Sequence, residues 1–288
     1  MTGISLTLVL LSAVIHASWN YMSKMAHDTK GYLFVFLCSA FTIFIYAPVA
    51  ITIFVKDGIT LRFIDLIYIA GTGIIHLLYY LSLQKGYETS DLSFAYPLAR
   101  GSGPMLSCIL AALLFQERPS MLAICGMILI GYGIIKIIGT QGGKNSHYNK
   151  NSIKYALLTG SLIAMYTLWD KYAMSVLLIH PVIYLWSSHI IRIAALAPNA
   201  LFHRTQLVQA WRTHKREVLF VSTMGPFAYV LILFALKISP VSYIAPAREI
   251  SILIGAVMGH HLLKEGYARS RIMGAFSMFA GLVFLVLG

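Results

Sequence analysis

At 288 residues, 58% hydrophobic, only 11% charged and with a mean hydropathy of +0.76, the chain is too apolar for a water-soluble domain, where charged residues make up roughly a quarter. Lys plus Arg (22) against Asp plus Glu (10) gives +12. Most of those charges sit in connections between apolar runs and form neither a basic tail nor a nucleic-acid fold, so they read as topology signals and lipid headgroup contacts.

Apolar runs of about 20 residues, each able to cross about 30 Å of hydrocarbon, recur along the whole chain. Spans are predicted at 4–22, 31–55, 65–84, 92–115 and 119–139, then at 155–177, 181–201, 218–236, 241–263 and 270–287. The first begins at Met1-Thr2-Gly3-Ile4 with no basic n-region or small-residue cleavage site, so it is expected to be retained. Cys38, Cys108 and Cys125 lie inside spans without metal-ligand spacing, which favours packed thiols over a disulfide framework or a zinc site. Two connections are long and polar: one from Gln141 to Lys154, the other from Phe202 to Glu217.

The first of these divides the chain into similar halves, 1–143 and 152–288. Trp19-Asn20 stands 150 residues before Trp169-Asp170, and Tyr79 stands 150 before Tyr229. Arg100, Glu117, Gly126 and Gly133 each stand 148 before Arg248, Glu265, Gly274 and Gly281. Five spans per half is an odd number, so the second copy must enter the membrane upside down. The expected fold is an all-α integral membrane protein of ten transmembrane helices, arranged as two inverted five-helix repeats.

The early Trp of each half, the proline-bearing fourth spans (Ala95-Tyr96-Pro97-Leu98 and Ile244-Ala245-Pro246-Ala247) and the Glu before a Gly-rich fifth span carry a resemblance. Over its whole length the chain resembles the drug/metabolite transporter superfamily, in its EamA-like ten-helix form. That resemblance implies solute transport through a central cavity lined by the first four helices of each half, with the fifth helices peripheral. It leaves the solute open among amino acids, nucleotide sugars, sugar phosphates and lipids.

Apart from Asp65 and Arg271 at the very starts of their spans, Arg100, Lys136, Lys171, Arg192 and Arg248 are the basic residues inside spans, and Asp170 and Glu249 are the acids there. A charge at a helix centre costs about 2.5–3.5 kcal/mol on insertion scales, so each needs a partner or a wet cavity. Arg100 and Arg248 each lie about eight residues, or about 12 Å, into a fourth helix, against a half-span of about 15 Å. Inversion then sets both guanidinium groups near the midplane as a clamp for a carboxylate, phosphate or phosphonate, unless they snorkel or pair with acids such as Glu249. Arg192, with His189 three residues earlier, is either a third anion donor or a structural partner of Asp170 or Glu249. Lys136 is expected to snorkel.

His16, Asn20 and Lys24 share one face of the first helix beside Trp19, a polar stripe expected to face the cavity. His76, Tyr79, Tyr80, Tyr96, Tyr166, Tyr229 and Tyr243 are further lining candidates. The glycine pairs predict close helix seams. Glu117 and Glu265 are expected to be structural, at helix starts.

No G-x-S-x-G elbow, H-E-x-x-H pair or P-loop occurs, which argues against catalysis and against direct ATP drive. The expected function is secondary transport of a small organic anion, with a phosphate- or phosphonate-bearing metabolite as the sharper expectation. Transport would run by exchange or by coupling to H+ or Na+, with Asp170, Glu249 or a histidine as proton carriers. An amino acid or metabolite exporter and a lipid flippase are the alternatives. No cofactor is expected, and the chain would sit multi-pass in the cell inner membrane among lipids, as monomer or homodimer. Thirteen basic residues lie on the side of the connections preceding even-numbered helices and four on the other. The positive-inside rule therefore puts both termini outside the cytoplasm, whereas the family resemblance implies the reverse.

Overall fold

The computed structural model describes residues 3–115, 120–140, 150–238, 249–266 and 268–287. Among them the regular structure is wholly helical. The first half holds α1 (Gly3–Met25), α2 (Gly31–Lys56), α3 (Phe63–Thr89), α4 (Leu92–Phe115) and α5 (Met121–Ile138). The second holds α6 (Lys150–Ser175), α7 (Pro181–Phe202), α8 (Arg204–Ile238), α9 (Ser251–Leu263) and α10 (Ala268–Leu287).

Local sequence explains most helix starts. Ser120 caps α5 by accepting from the Ala123 N–H, and α7 begins with Pro181 behind His180, whose Nδ1 accepts from Val182 N–H. At α3 the Arg62 N–H donates to Asp65 at 2.9 Å, and the Arg62 guanidinium grips the same carboxylate. Prolines at 48, 97, 104, 198 and 226 sit inside helices, where neighbouring helices can satisfy the freed carbonyls. Two boundaries differ from the hydropathy reading. Helix α6 starts at Lys150, ahead of the apolar run expected to open at 155, and the polar stretch 202–217 is largely the first part of α8. Leu207, Ala210 and Trp211 supply an apolar stripe there, with Trp211 stacked on Phe41 at 4.5 Å, and non-helical dihedrals at His214 separate this stretch from the spanning part.

The surface is apolar where a soluble protein would be polar. Phe44, Val55, Ile128, Ile135 and Phe276 all point outward, and five helices (α1, α2, α3, α5 and α10) are long and apolar enough to span a bilayer.

Inversion is written in a glycine seam. A Cβ at Gly126 would meet the Gly281 carbonyl oxygen at 2.6 Å, and one at Gly133 would meet that of Gly274 at 2.6 Å. Early α5 therefore faces late α10 and the reverse, so these equivalent helices run antiparallel, related by a two-fold axis perpendicular to both. The largest contacts obey that axis: α1 on α8 is mirrored by α6 on α3, α2 on α8 by α7 on α3, and α1 on α9 by α6 on α4. Helices α2 and α7, α4 and α9, and α5 and α10 pair across it.

Glu265 is structural but not as a cap of its own next helix. Its carboxylate accepts from the Leu92 and Ser93 N–H groups at 2.6 and 2.8 Å, capping α4, and Arg271 braces the same end through Asp91 and Ser93. Glu117 lies outside the described residues.

Candidate functional site

Between the two repeats lies a cavity of about 440 Å³, a volume typical of small-molecule sites. Helices α1, α2 and α3 of the first half and α6, α7 and α8 of the second supply its wall, and α4 contributes Arg100. The fifth helices, α5 and α10, take no part, as the resemblance implied; among the described residues α9 contributes none either.

The wall is aromatic and polar. Trp19, Tyr79, Tyr80, Tyr166, Tyr184 and Tyr229 surround His16, His76, Asp170, His189 and Arg192. At the end where α1 meets α2 it is closed: Trp19, Ser23, Phe34 and Gln84 are at most 4% exposed. Toward the α6–α7 connection it is more open, with the side chains of His76 and Asp170 19% and 22% exposed.

Two arginines reach the cavity, in opposite electrostatic situations. Arg100 donates to Glu249 at 3.0 Å, so its charge is neutralised within a buried cross-repeat pair. Arg248 lies outside the described residues, so a two-arginine clamp is not assembled among them. Arg192 is 2% exposed and has no carboxylate among the described residues within 4 Å. One of its terminal nitrogens donates to Ser188 Oγ at 3.0 Å, its plane lies over the Tyr80 ring at 5.1 Å, and its Nε has no hydrogen-bond partner. His189, one turn earlier, likewise has a buried Nδ1 without a partner. A buried guanidinium so weakly compensated costs several kcal/mol unless water or an anion completes it.

Asp170 faces this cation from α6. Its Oδ1 accepts from Thr72 Oγ and Tyr184 OH, each at 2.7 Å, and its Oδ2 stands 3.8 Å from His76 Nε2. His76 stacks on Tyr166 at 4.3 Å.

The remaining predicted site residues divide between the wall and a layer behind it. Trp19 lines the cavity and donates to His16 Nδ1 at 3.1 Å; Tyr79 and Tyr229, matched between repeats, both line it. Asn20 and Lys24 stand behind. Asn20 donates to the His16 carbonyl and accepts from Tyr87 OH at 2.7 Å, and the Lys24 ammonium caps the last turn of α3 through the Tyr87 and Ser90 carbonyls. Glu249 is not among the lining residues but holds Arg100, which is. Tyr96 turns to Ser251 instead, and Tyr243 and the Lys171 side chain lie outside what the structure describes. Thr72 and Tyr184 carry no motif of their own in the sequence, though each sits one or two turns from a predicted residue: Thr72 from His76, and Tyr184 from Arg192.

The EamA-like transporter family matches residues 3–139 and 150–287, one copy per repeat. The chain belongs to that family. Membership makes it a multi-pass membrane transporter of the drug/metabolite type, in agreement with the inverted fold and the open centre. No curated protein matches the sequence. A solved structure described only as "Crystal structure of protein" is similar over 98% of this chain and 96% of its own, with a TM-score of 0.55 and 12% identity, a likeness of fold alone.

Proposed function

We propose that this EamA-like protein is a secondary transporter of a small organic anion, carried across the inner membrane by alternating access, with Arg192 as the anion anchor. The observation behind this reading is the buried guanidinium in the cavity wall, short of an acid partner and next to the unpartnered His189 nitrogen. A planar fork of donors suits a carboxylate, phosphate or phosphonate. Arg100 would act beside it as a wall residue whose charge is already balanced, with Trp19, His76, Tyr79 and Tyr229 shaping the space for the body of the solute. A membrane scaffold is disfavoured, because it would have a filled centre and every intramembrane arginine paired.

Asp170 supports a second reading. Arg192 and Asp170 carry opposite charges within one cavity, as a zwitterion such as an amino acid requires. The test is thermal stabilisation of the purified protein by glycerol 3-phosphate, phosphonoacetate and succinate on one hand and by alanine and phenylalanine on the other. Stabilisation by the anions alone upholds the first reading, and stabilisation by the zwitterions alone replaces it with the second. No shift with any compound removes both.

A further inference from the structure

The gap between His76 and Asp170 has a chemistry of its own. Asp170, as a carboxylate, can only accept, so the Thr72 hydroxyl hydrogen and the Tyr184 hydroxyl hydrogen both point at its Oδ1. The Thr72 hydroxyl then has no hydrogen left for His76 Nδ1, which lies 2.9 Å from that oxygen and 3.0 Å from the Thr72 carbonyl oxygen. Both neighbours are acceptors toward Nδ1. The ring hydrogen of a neutral His76 therefore sits on Nδ1, and the lone pair of Nε2 faces Asp170 Oδ2 across 3.8 Å. Two electron-rich atoms face each other at a distance too long for a hydrogen bond and short enough to become one.

We propose that this gap is the proton-loading site of the transport cycle, so that a proton is the coupling ion and travels with the anion held by Arg192. The proposal rests on the transport reading above. In the loading step the Nε2 lone pair takes one H+ from water at the more open end, an N–H bond forms, and the new imidazolium donates to Oδ2. No electrons are exchanged. Release reverses the step after the cavity has turned to the other side. Loading places a further positive charge in the chamber that holds Arg192 and neutralises the opposing field of Asp170, so proton and anion favour each other's binding. That coupling is reciprocal.

The groups around His76 fit this role. Asp170 and Tyr166 face it from α6, Arg192 and His189 from α7, and Tyr79 flanks it on α3, while Tyr184 donates to Asp170 and Tyr229 stands beside Tyr184. Arg192 and His189 oppose a second positive charge when the cavity is empty. An anion on Arg192 lifts that opposition, which links the two events.

Two measurements test the idea. In lipid nanodiscs without solute, the His76 ring nitrogens are followed by 15N NMR between about pH 8 and about pH 4, assigned by their loss in His76→Gln. Nε2 is expected to pass from bare to protonated, with a midpoint that moves in Asp170→Asn. A ring that stays unchanged, or titrates identically in Asp170→Asn, overturns the proposal. In vesicles loaded with a pH-sensitive dye, an inward gradient of whichever of glycerol 3-phosphate, phosphonoacetate or succinate stabilises the protein is expected to acidify the lumen, and its affinity to rise about tenfold from about pH 8 to about pH 6. His76→Gln and Asp170→Asn should both lose the acidification. Anion uptake without proton movement, or uptake that follows sodium instead, defeats proton coupling while leaving the anion reading standing.

Discussion

Arg100 of the first repeat and Glu249 of the second form a buried ion pair at 3.0 Å, with both side chains at most 8% exposed. It ties α4 to the chain just before α9, the two equivalent helices that meet across the two-fold axis. Removing one partner of such a pair strands a buried charge and costs about 3–5 kcal/mol, whereas replacing both by apolar residues is near neutral. Glu249→Gln should therefore lower the melting temperature of the purified protein clearly. The double replacement Arg100→Met with Glu249→Leu should recover most of it. If instead Arg100→Met alone leaves stability intact and abolishes solute binding, Arg100 belongs to the anion site and the pair is incidental.

The glycine seam gives a second test with a built-in control. At Gly126 a methyl group would press on the Gly281 carbonyl at 2.6 Å and the Leu285 N at 2.8 Å, both backbone atoms that cannot rotate away. Overpacking of this kind costs typically 1–3 kcal/mol. Gly126→Ala and Gly281→Ala should each destabilise, and Gly131→Ala, where nothing lies within 4 Å, should not. Thermal unfolding in detergent distinguishes them. Equal behaviour of all three would deny the close contact between α5 and α10.

How far the sequence could be read follows from what kind of information each feature needed. Gly126 and Gly133 matched Gly274 and Gly281 at one offset and marked smooth faces for close contact, and the odd helix count demanded inversion; that the two smooth faces meet each other is visible only in the structure. Depth was also legible: Arg100, Arg192 and Asp170 all lie at the level where a cavity forms. Partnership was not. Spacing along the chain places Arg100 near the midplane but says nothing of Glu249 arriving from another helix, and it gives Arg192 no visible priority. The helical stripe of His16, Asn20 and Lys24 shares one face, yet a face is about 100° wide. His16 reaches the cavity while Asn20 and Lys24 turn to the end of α3, a division that only the position of α3 decides.

Lys24 ties α1 to the end of α3 behind the closed end of the cavity. Its ammonium satisfies two carbonyls at the C-terminal end of α3, and hydrogen bonds from a charged group to such acceptors contribute about 1.5–3 kcal/mol. Its counterpart at the opposite end, 150 positions on, is Met174, which has no charge to offer. Under the proposed alternating access, the Lys24 end would open in turn. Lys24→Met should weaken that seal and raise the labelling rate of a cysteine placed at Ser23, which lines the closed end, by an aqueous maleimide. An unchanged rate would mean that the closure is carried by the neighbouring Asp28–His214 and Asp91–Arg271 pairs.

Arg192 should behave in the opposite sense to Arg100. A binding site that keeps a charge short of a partner gives up stability for function. Arg192→Gln is therefore expected to raise the melting temperature of the empty protein while erasing the shift produced by a bound anion, a loss of about 2–5 kcal/mol or at least about 30-fold in affinity. Arg192→Lys keeps the charge but not the planar fork or the stacking on Tyr80, so it should retain part of the affinity and lose discrimination between carboxylate and phosphate. Titrating wild type and both variants with the same anion, by thermal shift and by calorimetry, separates these outcomes. If Arg192→Gln destabilises the empty protein and leaves anion affinity unchanged, Arg192 is a structural cation and the anchor must be sought elsewhere in the wall.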